Sequence, residues 1–294
     1  GSQFMEFVGA AKTSQVEEGR VLAFSEGSRA MWMEVSASRL DLIEESNAPW
    51  YLIVFHDVTK LKELESMRQQ FVANASHELK TPVSVIKGYA ETLVADHATM
   101  EEADRERFLK VVQSHSERLS LLINDLLSLS RLENTSHGLD WANSDLFRWV
   151  REARFELAQS LEGKGIDLVL ELPEKELAIA RFDVLKMRQV LDNLIENASK
   201  YSPSGGIIRL GGRLGSDYGE IWVADEGPGV PEGELSKIFG RFYRVDKGRS
   251  RDRGGTGLGL SIVKHIVECH EGSVWAENVA GKGLKVSVRI PLAR

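Results

Sequence analysis

Between residues 58 and 129 one spacing recurs with little interruption. Leu61, Leu64, Phe71, Ala75, Leu79, Pro82, Ile86, Tyr89 and Leu93 follow it, and Phe108, Val112, His115, Leu119, Leu122, Leu126 and Leu129 take it up again. Steps of three and four residues return to the same side of an α-helix, so each set is one apolar stripe. Two long helices are predicted. Between them, Thr99, Met100, Glu101 and Glu102 have the T-x-x-E form of a capping box, which would start the second helix. Pro82 has no backbone N–H, so a kink or local loosening is expected there. Long helices joined by a short loop form a hairpin. One hairpin leaves an apolar seam uncovered, and two copies are expected to pair as a four-helix bundle, a homodimer.

The flanks have other textures. Residues 20–57 read as short strands separated by Gly, Ser, Asn and Pro signals. About three strands cannot stand alone, so this segment reads as the end of a β-rich sensor domain. Residues 1–5 read as a cloning scar. Beyond residue 138, helical stretches near 144–161, 183–201 and 258–271 alternate with strand-like ones such as "IDLVLEL", "IIRLGG", "EIWVADE" and "LKVSVRI". Strand pairs joined by turns favour a mixed sheet with helices on one face over a doubly wound fold. The expected organisation is 6–57, a partial sensor segment; 58–135, the hairpin; and 140–294, an α/β domain. A net charge of −7 argues against nucleic acid as the main partner. The single cysteine, Cys269, excludes an internal disulfide and a Cys-rich metal site and fits a cytoplasmic fragment. No apolar run approaches the length of a membrane span, so no membrane contact is expected of this chain, although an anchor in the full-length protein is.

One histidine stands out in "FVANASHELKTPVSVIKGY". Ala75 and Leu79 lie two positions either side of His77, about 200° away around the helix. His77 is therefore expected nearly opposite the stripe, on a polar face with Asn74, Lys80, Thr81 and Ser84. His115 falls on its own helix's stripe and reads as a satisfied seam residue. A metal site at His77 would need more ligands than Glu78. An exposed imidazole that is partly neutral at cellular pH is a usable nucleophile, and Glu78 can accept its proton or hold its tautomer. The plainer alternative is a solvated side chain.

Three downstream clusters suggest where an electrophile would come from. In "NLIENASKYS", Asn193, Asn197 and Lys200 share one side of a helix; an amide oxygen suits Mg²⁺ and a lysine suits phosphate. In "DEGPGV", Asp225 ends a strand and can accept from an exocyclic amine, while Gly227 and Gly229 let backbone approach a ring. In "GGTGLGLSIVK", glycines precede an apolar helix whose N-terminus can meet phosphate oxygens. Before it, residues 241–253 are rich in arginine and read as a lid over an anion. A solvated polar face, a turn and a solvated loop are the respective alternatives.

Taken in order, these segments resemble those of a two-component sensor histidine kinase. "SHELKTP" resembles the H-box, "NLIENASKYS" the N-box, "DEGPGVP" the G1-box, "IFGRFYR" the F-box and "GGTGLGLSIVK" the G2-box. Residues 20–57, running into "FHDVTKLKELE", are similar to the tail of a PAS domain. The H-box surround is similar to the phosphate-regulon sensor branch. The resemblance implies an all-α dimerisation hairpin followed by an α/β sandwich ATP-binding domain of the gyrase, Hsp90 and histidine-kinase type. It implies that His77 accepts phosphate from ATP, with Glu78 as acid/base partner, and passes it to an aspartate on a response regulator. Thr81 would position water to dephosphorylate that regulator. Asn197 would ligate Mg²⁺, with Asn193 and Lys200 at the phosphate end, and Asp225 would read adenine. Tyr201, Gly227, Gly229, Gly255, Thr256, Gly257, Leu258 and Gly259 would shape the nucleotide pocket, with Phe239, Arg241, Phe242 and Tyr243 as the F-box. Gly240 departs from the pattern, which often has an acidic residue there. The gyrase and Hsp90 relatives place a glutamate base where this chain has Asn193, which favours transfer over hydrolysis. The rival expectations are a regulator phosphatase and a non-catalytic dimeric scaffold.

Overall fold

The computed structural model describes residues 7, 16–26, 29–40, 50–96, 98–133, 138–245, 255–279 and 283–293. Two compact units emerge, Gly1–Ser76 and His77–Arg294, with the boundary inside a helix.

In the first unit, β1 (Val16–Glu26), β2 (Arg29–Leu40) and β3 (Trp50–Asp57) form an antiparallel sheet in chain order. Alternation puts Leu22, Val35 and Ala37 on one face, where they are buried with Phe7 and backed by Phe24, Met33 and Ile53. The sheet fits the expected PAS-like remnant. The following helix, α1 (Thr59–Asp96), starts where the Asp57 carboxylate accepts the Thr59 N–H at 2.8 Å, while the Thr59 hydroxyl accepts the Trp32 N–H at 2.9 Å.

α1 runs through Pro82 without a break, with Pro82 itself buried. From Leu79 to Leu93 the predicted stripe is half-buried or better against α2 (Glu102–Glu133), and the rings of Tyr89 and Phe108 meet edge-to-face at 5.0 Å. The capping box does not form. α2 begins two residues later than a Thr99 cap requires, and the Thr99 hydroxyl donates to the Asp96 carbonyl at 3.2 Å. Thr99 thus satisfies the end of α1, whose last carbonyls lack helical partners. His115 lies on the seam as expected, but it is not satisfied: its Nδ1 is buried with no hydrogen-bond partner among the described residues.

The remainder is a two-layer sandwich. α3 (Leu146–Glu162), α4 (Val184–Tyr201) and α5 (Gly259–Cys269) lie near the predicted positions. Asp145 caps α3 through the Phe147 N–H, and Asp183 caps α4 through those of Leu185 and Lys186, contacts worth about 1 kcal/mol each. The strands are β4 (Ala142–Asp145), β5 (Asp167–Glu171), β6 (Ile179–Phe182), β7 (Ile207–Leu214), β8 (Tyr218–Ala224), β9 (Ser273–Asn278) and β10 (Leu284–Pro291). Five of them form a mixed sheet ordered β5-β7-β8-β10-β9, parallel only between β5 and β7. β4 pairs with β6 in a separate ribbon; its polar sequence, Ala-Asn-Ser-Asp, gave no strand signal. Ile208, Leu210, Ile221, Val223, Val286, Val288 and Ile290 share the buried face of the sheet. On the other face Trp222 lies across Gly211, where a Cβ would come 2.2 Å from the indole, so no larger residue fits under the ring.

Candidate functional site

His77 is exposed on α1, between half-buried Ala75 and Leu79, as the helical angle requires. Thr81 is one turn on, and its hydroxyl donates to the His77 carbonyl at 3.2 Å. Glu78 is expected beside His77 as its proton partner, but its carboxylate is engaged elsewhere. One position along, the side chain turns toward the seam, where Oε2 accepts from Arg118 of α2 at 3.3 Å and from Arg244 at 3.4 Å. These groups are well shielded, with the Arg244 side chain only 9% exposed. Removing one member of such a cluster would strand a charge in a poor solvent.

The nucleotide-type cluster gathers around the C-terminal half of α4. Leu191, Leu194, Ile195 and Ala198 are buried, which turns Asn193, Asn197 and Lys200 to the opposite, half-buried side. The Asn193 amide donates to the Gln189 carbonyl at 2.7 Å, and its Oδ1 lies 2.7 Å from where a Cβ on Gly259 would stand. Glycine at 259 therefore lets the start of α5 approach the N-box helix. Lys200 is 2.5 Å from Glu196, so it is held by a neighbour on its own helix.

Asp225 follows β8 and is only 5% exposed. Its Oδ1 accepts the N–H groups of Gly227 at 2.8 Å and Leu284 at 3.2 Å, which orients the carboxylate and leaves Oδ2 for another donor. Burial pushes its pKa up, against the lowering effect of those two bonds. A Cβ on Gly227 would stand 2.8 Å from the Asp225 Oδ1 and 3.0 Å from the Tyr201 carbonyl oxygen, so Tyr201 and Gly227 touch through backbone. Gly229 has φ +73°, beside Asn278, whose Oδ1 accepts the Val230 N–H at 2.9 Å and fixes the G1 turn.

The F-box and G2-box are zipped together. Phe239, in a short 3₁₀ turn, is buried, and a Cβ on Gly240 would stand 3.0 Å from the Lys237 carbonyl oxygen. Phe242 has φ 60°, an uncommon value for a side-chain-bearing residue, and its N–H donates to the Gly257 carbonyl at 2.8 Å. Gly257 has φ +74°, and a Cβ there would stand 3.0 Å from the Phe242 Cα. Tyr243 has its pKa raised, by burial first and then by Glu234. Arg241 is exposed, whereas Arg244 donates to the Gly255 carbonyl as well as to Glu78. The Thr256 hydroxyl donates to Asp125 Oδ2 of α2 at 2.7 Å and accepts the Leu258 N–H at 3.3 Å. Burial raises the Asp125 pKa against the effect of Thr256; Glu196 raises it further and Lys200 lowers it. Most of the expected lid, residues 246–254, lies outside the described residues.

Several contributors escaped the sequence reading. Arg118 ties α2 to Glu78 of α1, Asp125 connects the hairpin to the sandwich, and Gly283, at φ +116°, lets β10 start against the Asp225 carbonyl. Asp125 does leave a trace: a carboxylate three residues after Leu122 and four before Leu129, at stripe spacing. No cluster of three or more His, Cys, Asp or Glu side chains suited to a metal occurs among the described residues. Mg²⁺ held mainly by phosphate and water needs only one or two protein oxygens.

Residues 67–135 match the His Kinase A (phospho-acceptor) domain, and residues 182–294 match the histidine kinase-, DNA gyrase B-, and HSP90-like ATPase family. A phospho-acceptor hairpin joined to that sandwich defines the class, and the chain belongs to the two-component sensor histidine kinases. It is 38% identical over 244 residues to the sensor histidine kinase WalK of Bacillus subtilis, a match covering 82% of this chain and 39% of that protein. It is 39% identical over 245 residues to a Staphylococcus aureus WalK, covering 82% of this chain and 58% of that one. The chain thus spans less than two thirds of these relatives. Among solved structures it is similar to the Acinetobacter baumannii histidine kinase AdeS, with a TM-score of 0.58 and 25% identity, covering 74% of this chain and 98% of that one. Full-length ShkA, solved in complex with AMPPNP, is similar with a TM-score of 0.55 and 26% identity, over 76% of this chain and 46% of that one. These relatives do not extend the phosphate-regulon likeness, which rests on the H-box surround alone. No helix among the described residues is long and apolar enough to cross a membrane.

Proposed function

We propose that this chain is an ATP- and Mg²⁺-dependent protein-histidine kinase that phosphorylates its own His77 as a dimer. The observation that carries the reading is an exposed helix histidine in the same compact unit as an oriented, buried Asp225 among glycines that only backbone can approach. Asp225 Oδ2 accepts the exocyclic amine of adenine. Asn197 offers its amide oxygen to Mg²⁺, and Lys200 and the G2 backbone hold phosphate. ATP supplies the γ-phosphoryl group. An imidazole nitrogen of His77 forms the new N–P bond as the bond to the ADP oxygen breaks, and the imidazole proton passes to Glu78 once that carboxylate is free of its arginines. Catalysis is chiefly positioning and charge stabilisation. With Asn193, a neutral amide, in place of a carboxylate base, water is poorly activated and the imidazole is the better nucleophile.

The reading extends to two partners. Leu109, Ile123 and Leu127 of α2 are 43–54% exposed, an apolar face that a second hairpin would cover. The phosphoryl group then passes to an aspartate on a response regulator, and Thr81 positions water for its later removal. Incubation with γ-labelled ATP and Mg²⁺ tests the proposal. Acid-labile label is expected on the wild-type chain and none on His77→Ala. Acid-stable label, or label that survives His77→Ala, would sink it.

A further inference from the structure

Two carboxylates of the hairpin hold polar groups at the phosphate end of the nucleotide reading: the hydroxyl of Thr256 in the G2 segment, and Arg244 of the arginine-rich stretch 241–253 that was expected to face an anion. Asp125, on α2, takes the Thr256 hydroxyl at 2.7 Å, in the glycine-rich approach to α5. It lies close enough to the N-box helix to feel the charges of both Lys200 and Glu196. Glu78, on α1, takes Arg244 at 3.4 Å, and the same guanidinium reaches the Gly255 carbonyl in the G2 segment. The contacts come from different helices of the hairpin but converge on one rim of the sandwich, where Phe242 and Gly257 are joined by backbone. Thr256 and Arg244 are 8% and 9% exposed, so each contact is made away from bulk solvent.

We propose that Asp125 and Glu78 stand in for the phosphates of ATP, parking the sandwich on the hairpin, so that nucleotide and hairpin compete for Thr256 and Arg244. This regulatory latch rests on the nucleotide reading above. A phosphate chain presents more negative charge and more acceptor oxygens than a carboxylate, so it is the stronger partner for a guanidinium and a hydroxyl beside a lysine. Its arrival withdraws both groups from the hairpin. The sandwich is then free to move toward a histidine. The same event releases Glu78, the residue beside His77, from one of its two arginines. Nucleotide occupancy, domain mobility and availability of the proton acceptor become one equilibrium. The docked form does not offer Thr256 and Arg244 to nucleotide, so apparent affinity is reduced by the fraction of molecules that are undocked.

The experiment uses the full chain in two measurements. Spin labels at Lys110→Cys on α2 and Glu174→Cys in the sandwich, with Cys269→Ser, report the distance between hairpin and sandwich in dimers diluted with unlabelled chain. Calorimetry reports AMPPNP binding in the presence of Mg²⁺. In the otherwise unsubstituted chain the distance distribution is expected to shift when AMPPNP is added. Asp125→Asn with Glu78→Gln, which removes charge while keeping size, is expected to give the shifted distribution without nucleotide and to bind AMPPNP ~3- to 10-fold more tightly. An unshifted distribution together with unchanged affinity overturns the latch while leaving the kinase reading intact. A wild-type chain that binds no AMPPNP overturns both.

Discussion

The proposed phospho-acceptor face and the proposed nucleotide pocket belong to the same unit but are built in opposite ways. Exposed His77 and half-buried Thr81 lie one helical turn apart, and the Thr81 bond to the His77 carbonyl is internal to α1. Nothing distant is required to put them there. The pocket instead gathers Asn197, Asp225, Gly257 and Asn278 from four separate segments, and its central carboxylate is oriented by the N–H groups of Gly227 and Leu284, the latter far along the chain. Substitutions on the helix should therefore remove one chemical step and little else. Substitutions in the pocket should alter binding, and some should alter stability as well.

Four experiments test that contrast, beginning with the largest effect. Asn197→Ala should weaken Mg²⁺–ATP binding by ~10-fold or more and abolish His77 labelling, while sedimentation still reports a dimer. A monomeric variant would mean that pocket and hairpin are not separable. Asp225→Asn should lower ATP affinity by about tenfold, because an amide NH₂ cannot accept from the adenine amine. Its melting temperature at neutral pH should hold or rise. The folded-state pKa of Asp225 is raised, so its contribution to stability is greatest below the ordinary aspartate value and falls as pH rises through the raised one. A large drop in melting temperature would show that the two N–H bonds outweigh the cost of burial.

Thr81→Ala should abolish dephosphorylation of the regulator and leave autophosphorylation within about twofold. Loss of both activities would give Thr81 a positioning role in transfer as well. The smallest effect concerns a buried histidine that belongs to neither. His270 is 2% exposed; its Nε2 accepts the Asp183 N–H at 2.9 Å, so Nδ1 carries the hydrogen donated to the Ile266 carbonyl at 2.7 Å. Burial holds its pKa below the usual histidine value. Stability from the neutral ring is therefore complete above the ordinary pKa and is lost as pH falls through the depressed one. The melting temperature of the wild type should fall between about pH 7 and about pH 5, and His270→Gln should flatten that slope. An equal slope in the variant would place the acid sensitivity elsewhere.

The parts most legible in the sequence were those governed by local periodicity. α1 and α2, the exposure of His77 and the strands of the mixed sheet all follow from side-chain spacing, because burial of one face imposes that spacing. The N-box orientation was readable for the same reason. β4 was not, since its partner β6 lies far along the chain and its own residues alternate in no useful way. The Thr99 capping box failed because a hydroxyl can bond backward as well as forward. Only the position of the loop, closing α1, selected the Asp96 carbonyl.

Sequence by itself determined that this chain carries a helical hairpin with an outward histidine and, behind it, an α/β domain with one amide-marked helix and two glycine-marked loops. Those are properties of residues within a few turns of one another. The tertiary structure alone decided which charges meet. Glu78 looked like the partner of His77 because they are neighbours in the chain, yet successive side chains on a helix diverge by about 100°. That divergence carries Glu78 to Arg118 and Arg244, and the packing of the G2 segment against α2 brings Asp125 to Thr256. Ion pairs and hydrogen bonds depend on distance in space, which the order of residues along the chain does not encode.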